Sequence, residues 1–157
     1  MFVTRSALRT LAAAVCTVAA VTVALPAVAC VAPTADEVRA IQVRTLQSRL
    51  MVAALSCDAQ PQYDAFIGRF DDLLNRSGRA LVSYFQRSHG SRGTRELNDY
   101  VTALANRASL ESMQDRTAFC LDALATLRES LVMEARQVGD LAQTLPRDKS
   151  KAPNVCL

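Results

Sequence analysis

Apolar residues recur at spacings of three and four along most of the chain after Thr34, with no convincing period-two stretch. That pattern predicts helices and no strands. The first helix opens at Thr34-Ala35-Asp36-Glu37, where the Thr34 hydroxyl can accept from the third helical N–H and Glu37 can reach back to the cap. Val43, Leu46, Leu50, Ala53, Ala54 and Cys57 share one face and carry this helix to about Ser56. The block Met51 to Leu55 is apolar all round, which predicts a crowded crossing.

Asp58-Ala59-Gln60-Pro61 reads as a turn, with Pro61 suited to the first helical position. The second helix carries Phe66, Phe70, Leu73, Leu74, Ser77, Leu81, Tyr84 and Phe85. Gly78 falls inside that stripe, and continuity is expected over a split near Asn75. His89-Gly90-Ser91-Arg92-Gly93 is the clearest loop, after which Thr94 caps a third helix with Leu97, Tyr100, Val101, Leu104 and Ala108. A break over Ser109 to Gln114 leads to Asp115, another good N-cap.

The last helix repeats in heptads: Thr117, Leu124, Leu131, Val138 and Leu145, with Cys120, Leu127 and Leu141 beside them. Glu134 interrupts the second line, as at an exposed edge, and Pro146 stops the helix. A period of 3.5 favours near-antiparallel packing. The expected fold is all-α: an up-down four-helix bundle tied by disulfides, with a polar tail from about residue 146.

Ahead of these helices lies a different pattern. Arg5 and Arg9 precede an uncharged apolar run, Leu11 to Leu25, and Leu25-Pro26-Ala27-Val28-Ala29-Cys30 closes it. This is the layout of an export signal peptide, with cleavage expected after Ala29. The run is short against the roughly 20 residues that span a bilayer as a helix. Residues 1–29 are therefore expected to be a leader and 30–157 one helical domain, periplasmic or secreted. Lipidation of Cys30 and an uncleaved anchor are the alternatives; Ala27, where a lipoprotein signal carries Leu or Val, weighs against the first.

Removing the leader changes the charge and the cysteine count. It takes two of the 18 basic residues and none of the 15 acidic ones, lowering the formal charge from +3 to +1. A near-neutral surface gives no case for nucleic-acid binding. Cys16 leaves as well, so Cys30, Cys57, Cys120 and Cys156 remain, in a compartment where disulfides persist. Cys57 ends the first helix and Cys120 begins the last, each on an apolar face. If those helices are antiparallel neighbours, Cys57 pairs with Cys120, and Cys30 meets Cys156 at the other end. Pairing Cys30 with Cys57 would require the two ends of one helix to meet within about 7 Å.

Candidate chemistry is sparse. No C-x-x-C or C-x-x-C-H spacing occurs, and four cysteines on long antiparallel helices do not converge on zinc. His89 is the only histidine, so no two-histidine metal site is available. The segment Arg87 to Arg95 admits an anion site, with Arg87, His89, Arg92, Thr94 and Arg95 around flexible glycines, or a catalytic base in His89; a solvated turn is the simpler account. Asp71 and Asp72 point about 100° apart on a helix and make a poor acid/base pair, so a solvated face is expected. Arg39, Arg44 and Arg49 are spread around the first helix, and Met51, Met113 and Met133 read as core fillers.

Leu46 to Cys57, Tyr63-Asp64-Ala65-Phe66, Asn98 to Asn106 and Ala118-Phe119-Cys120 together resemble small exported all-helical proteins of unassigned function from alphaproteobacteria. The resemblance covers most of the chain beyond the leader, and its motifs are structural. Some chains of this look carry an S-adenosyl-L-homocysteine hydrolase label. This sequence has no G-x-G-x-x-G after a strand and too little length for a dinucleotide domain, so no catalytic residue carries over.

The expected function is that of an exported, non-enzymatic helical module, binding or envelope-associated, whose partner the sequence does not name and for which an envelope protein is one candidate, without cofactor or metal. A small enzyme or anion-binding protein using the His89–Arg95 loop, and a lipoprotein anchored through Cys30, are the alternatives. Membrane contact is expected only through a lipidated Cys30 or an uncleaved leader.

Overall fold

The computed structural model describes residues 31–145. The leader, the tail from Pro146 and the Cys30–Cys156 pairing lie outside the described residues. Six α-helices follow in order: α1 Ala35–Ser56, α2 Gln60–Arg69, α3 Asp71–His89, α4 Gly93–Gln114, α5 Arg116–Val132 and α6 Ala135–Thr144. A 3-10 turn, Gly90–Arg92, joins α3 to α4, and no strand occurs among the described residues. The all-helical expectation holds. The count of four does not, because two of the expected helices are each divided.

The second expected helix bends at Phe70, where φ −110 and ψ 20 leave the helical region. Its N–H still donates to the Phe66 carbonyl at 3.0 Å, and its own carbonyl accepts from Leu74 at 2.9 Å, so the chain turns without losing hydrogen bonds. Phe66 and Phe70 both sit in the core, and Asp71 and Asp72 then open α3, where the helix dipole favours carboxylates. Gly78 lies inside α3 with open space where a Cβ would stand, so it neither splits the helix nor admits a neighbour.

The last expected helix breaks at Met133 and Glu134, both extended. Glu134 is not a heptad interruption at an edge. It caps α6 in a reciprocal box, its side chain accepting from Gln137 N–H while its own N–H donates to Gln137 Oε1 at 2.8 Å. The break expected over Ser109 to Gln114 is absent, since α4 runs through it and the Ser109 hydroxyl donates to Ala105 O at 2.9 Å. Asp115 does cap α5, accepting from Ala118 N–H at 2.9 Å. Thr94 caps nothing: α4 starts at Gly93, and Arg92 at its N-cap makes no side-chain bond.

The Thr34–Glu37 capping box starts α1 as expected, but this helix has more than one apolar face. It contacts each of the other five α-helices and feeds three core clusters. Val43, Leu46 and Leu50 meet Phe66, Phe70, Leu127 and Val138; Ala40 and Ile41 meet Leu81, Tyr84, Phe85 and Tyr100; Val52 and Ala53 meet Ala108, Phe119 and Ala123. Each fully buried Leu or Phe in these clusters contributes about 1.5–3 kcal/mol. α1 runs opposite to α5, with Cys57 beside Cys120 at one end, and near its start Arg39 bonds to Asp140 of α6.

Candidate functional site

The Arg87–Arg95 segment is used piecemeal. Arg87 turns away from the loop and donates to both oxygens of Glu37, at 2.6 and 2.7 Å, with its guanidinium 5.9 Å from the Tyr84 ring centroid. His89 is the last residue of α3, and its ring stacks on Phe85 at 5.7 Å between centroids. Gly90 follows with φ 55, a backbone conformation suited to glycine. Arg92, Thr94 and Arg95 are exposed. An anion at this loop would find Arg87 already committed to a carboxylate.

Cys57 and Cys120 are brought to disulfide-bonding distance, with Cα atoms 5.7 Å apart. Cys57 is the C-cap of α1, and Cys120 lies in the opening turns of α5. The Val52, Ala53, Ala108, Phe119 and Ala123 cluster packs directly against the pair. Arg49 fastens the same region from the side, bonded to Glu111 of α4 and to Asp122 of α5. Outside the cluster, Met51, Leu55, Leu110, Met113 and Leu121 are exposed, all on the α1, α4 and α5 segments that converge here. A shallow groove of about 230 Å³ runs past Cys120, Leu121, Leu124 and Arg128.

At the other end of α1, a cleft of about 500 Å³ opens between α1, α3 and α6. Arg39, Arg76 and Arg136 enter it from one helix each, alongside Asp36 and Ser77. Sequence reasoning set Arg39 aside as part of a dispersed set and did not single out Arg76 or Arg136. The signal is three-dimensional, because α6 reaches α1 only after the break at Met133 and Glu134.

Burial pushes the Tyr63 and Tyr100 phenols above their ordinary value, opposed by hydrogen bonds to Gln47 and Thr45 respectively. Among the described residues, no group of three or more His, Cys, Asp or Glu side chains is placed to hold a metal ion. No described helix is long and apolar enough to cross a membrane. No protein-family model, curated protein or solved structure matches the chain.

Proposed function

We propose that this chain is an exported, non-enzymatic helical module that docks its cysteine-paired end on a protein of the bacterial envelope. The observation that carries the reading is the distribution of apolar exposure: of seven exposed large apolar side chains among the described residues, five lie on the segments around the cysteine pair, with Val82 and Val132 elsewhere. Leu55 is 66% exposed, Leu110 57%, Met113 81% and Leu121 72%. Single exposed apolar residues need no explanation, but several large ones on converging segments mark an interaction surface. The Cys57–Cys120 pair supports the choice of compartment, since such a bridge persists where export would deliver the chain. The bridge also stiffens the docking end, which lowers the ordering cost of binding.

The test is capture from envelope extract under oxidising conditions, comparing wild type with Leu121→Asp and Met113→Asp. An envelope protein retained by wild type and lost from both variants is the expected result. Capture unchanged by the substitutions, or no protein captured, overturns the reading. The intact mass of the exported protein reports whether it begins at Cys30 and whether that residue carries a lipid.

A further inference from the structure

We propose a second functional surface at the opposite end of α1: the cleft between α1, α3 and α6 binds a phosphate-type oxyanion. It lies about 27 Å along α1 from the docking end, at 1.5 Å per residue, and does not depend on that reading. Arg39, Arg76 and Arg136 line it from three different helices, so the fold and not a local charge run gathers them. Gathering like charges opposes folding unless a counter-charge is present.

Arg39 is held in place. Its Nη2 donates to Asp140 Oδ1 at 2.7 Å, and its guanidinium lies against Gly139, where an added Cβ would stand 3.3 Å from Nη1. A guanidinium has five N–H donors, so this contact leaves others for a ligand. Arg76 and Arg136 are exposed, and neither has an ion-pair partner among the described residues. Asp36 is the one carboxylate in the lining, so the two unpaired cations outnumber it. The charge balance selects an anion.

The donor type narrows the ligand further. Planar forks match the paired oxygens of a phosphate, and three arginines lining one cleft supply several such forks. Ser77, largely buried in the lining, adds a hydroxyl, and Leu73 adds an apolar wall that tolerates a hydrocarbon substituent on the phosphate. The chain enters α1 beside this cleft, since Thr34 caps the helix only two residues before Asp36. A phospholipid headgroup and a soluble phosphate both offer this chemistry.

Protein purified from the envelope of an expressing bacterium serves for the test. Inorganic phosphate is titrated against chloride at constant ionic strength, reading melting temperature and calorimetric affinity. Sedimentation with phosphatidylglycerol vesicles, against phosphatidylcholine vesicles, is the second arm. Arg76→Gln and Arg136→Gln remove exposed side chains without ion pairs, so the double variant keeps the fold. It is expected to bind the effective probe about tenfold more weakly for each arginine removed. The pair Arg92→Gln and Arg95→Gln, in the 3-10 turn and the first turn of α4, is expected to bind as wild type does. Response to phosphate assigns a soluble anion, and response to anionic vesicles alone assigns a lipid headgroup; either supports the site. No response of wild type to either probe overturns it, as does an equal response in Arg76→Gln/Arg136→Gln. Leu121→Asp is expected to leave this binding unchanged, which separates its failure from failure of the docking surface.

Discussion

Arg87 of α3 grips Glu37 of α1 with both prongs of its guanidinium, Nη1 on Oε1 at 2.6 Å and Nη2 on Oε2 at 2.7 Å. Glu37 is 6% exposed and also accepts from Thr34 N–H at 2.8 Å, so one carboxylate both caps α1 and ties it to the end of α3. Arg87 and then Thr34, opposed by burial, bring the Glu37 carboxyl from 4.5 down to about 2. A folded-state value below the unfolded one gives stability that is complete above the unfolded value and lost as pH falls through the folded one. Urea midpoints are therefore expected to drop between pH 4.5 and about 2. Glu37→Gln, which has no charge to lose there, is expected to drop less steeply over the same window. Parallel profiles for the two proteins would exclude this coupling.

Gly93, the first residue of α4, sits where that helix meets the end of α3. A Cβ there would stand 2.7 Å from the Phe85 carbonyl oxygen and 2.8 Å from Gln86 Cα, both backbone atoms. Gly93→Ala must then separate the two helices, at an expected cost of about 1–3 kcal/mol. Gly78 is the contrast: it lies within α3 and nothing stands within 4 Å of its added Cβ. Gly78→Ala is expected to stabilise by about 0.5–1 kcal/mol, because a helix-interior glycine gives up more freedom on folding than alanine does. Urea unfolding of the two variants should move in opposite directions. Movement in the same direction sinks one of the two claims.

The contrast between these glycines shows where sequence reading stops. Helix starts at Thr34 and Asp115 were legible, and the one at Pro61 to within a residue of Gln60, where α2 begins, because each rests on chemistry local to the first turn. Phe70 was not, since Leu73 and Leu74 just beyond the bend pack on the same cluster as Phe66 and Phe70, and the periodicity passes through the bend unbroken. At Glu134 the sequence did hold a signal, Gln137 three residues on, but the heptad repeat masked it. Cys57 and Cys120 could be paired because each falls at a helix end with an apolar face. The Arg39, Arg76 and Arg136 cleft could not be found, as it depends on how α3 and α6 are turned against α1.

The Cys57–Cys120 bridge closes a loop with a sequence separation of 63. Its removal is expected to cost about 2–4 kcal/mol, mainly by freeing the unfolded chain. In a Cys30→Ser/Cys156→Ser background, Cys120→Ser and reductant treatment should therefore show a similar fall in urea midpoint, and reductant should leave Cys120→Ser unmoved. Peptide mapping without reductant should recover Cys57 joined to Cys120. A different partner for Cys57 would overturn the assignment.

Arg49 does two jobs on one stem, and they can be separated. Its guanidinium bonds to Glu111 and to Asp122, the latter at 2.9 Å, and lies 4.9 Å from the Phe119 ring centroid. Glu111 also accepts from Arg107 Nε at 3.1 Å, so deleting Arg49 does not orphan that carboxylate. Asp122 is largely exposed and can return to water. The loss should accordingly stay below the 3–5 kcal/mol typical of breaking a fully buried pair. Arg49→Met leaves an apolar side chain able to cover Phe119 and removes the guanidinium with its ion pairs, with an expected cost of about 1 kcal/mol. Arg49→Ala also uncovers the ring and should cost about 2–3 kcal/mol, since a long stem stabilises by packing as well as by charge. High salt should narrow the gap between wild type and Arg49→Met, because it screens the ion pairs, and leave the gap between Met and Ala unchanged. Equal destabilisation by the two substitutions at every salt concentration would mean that the stem contributes nothing, and that charge alone fastens α1 to α4 and α5.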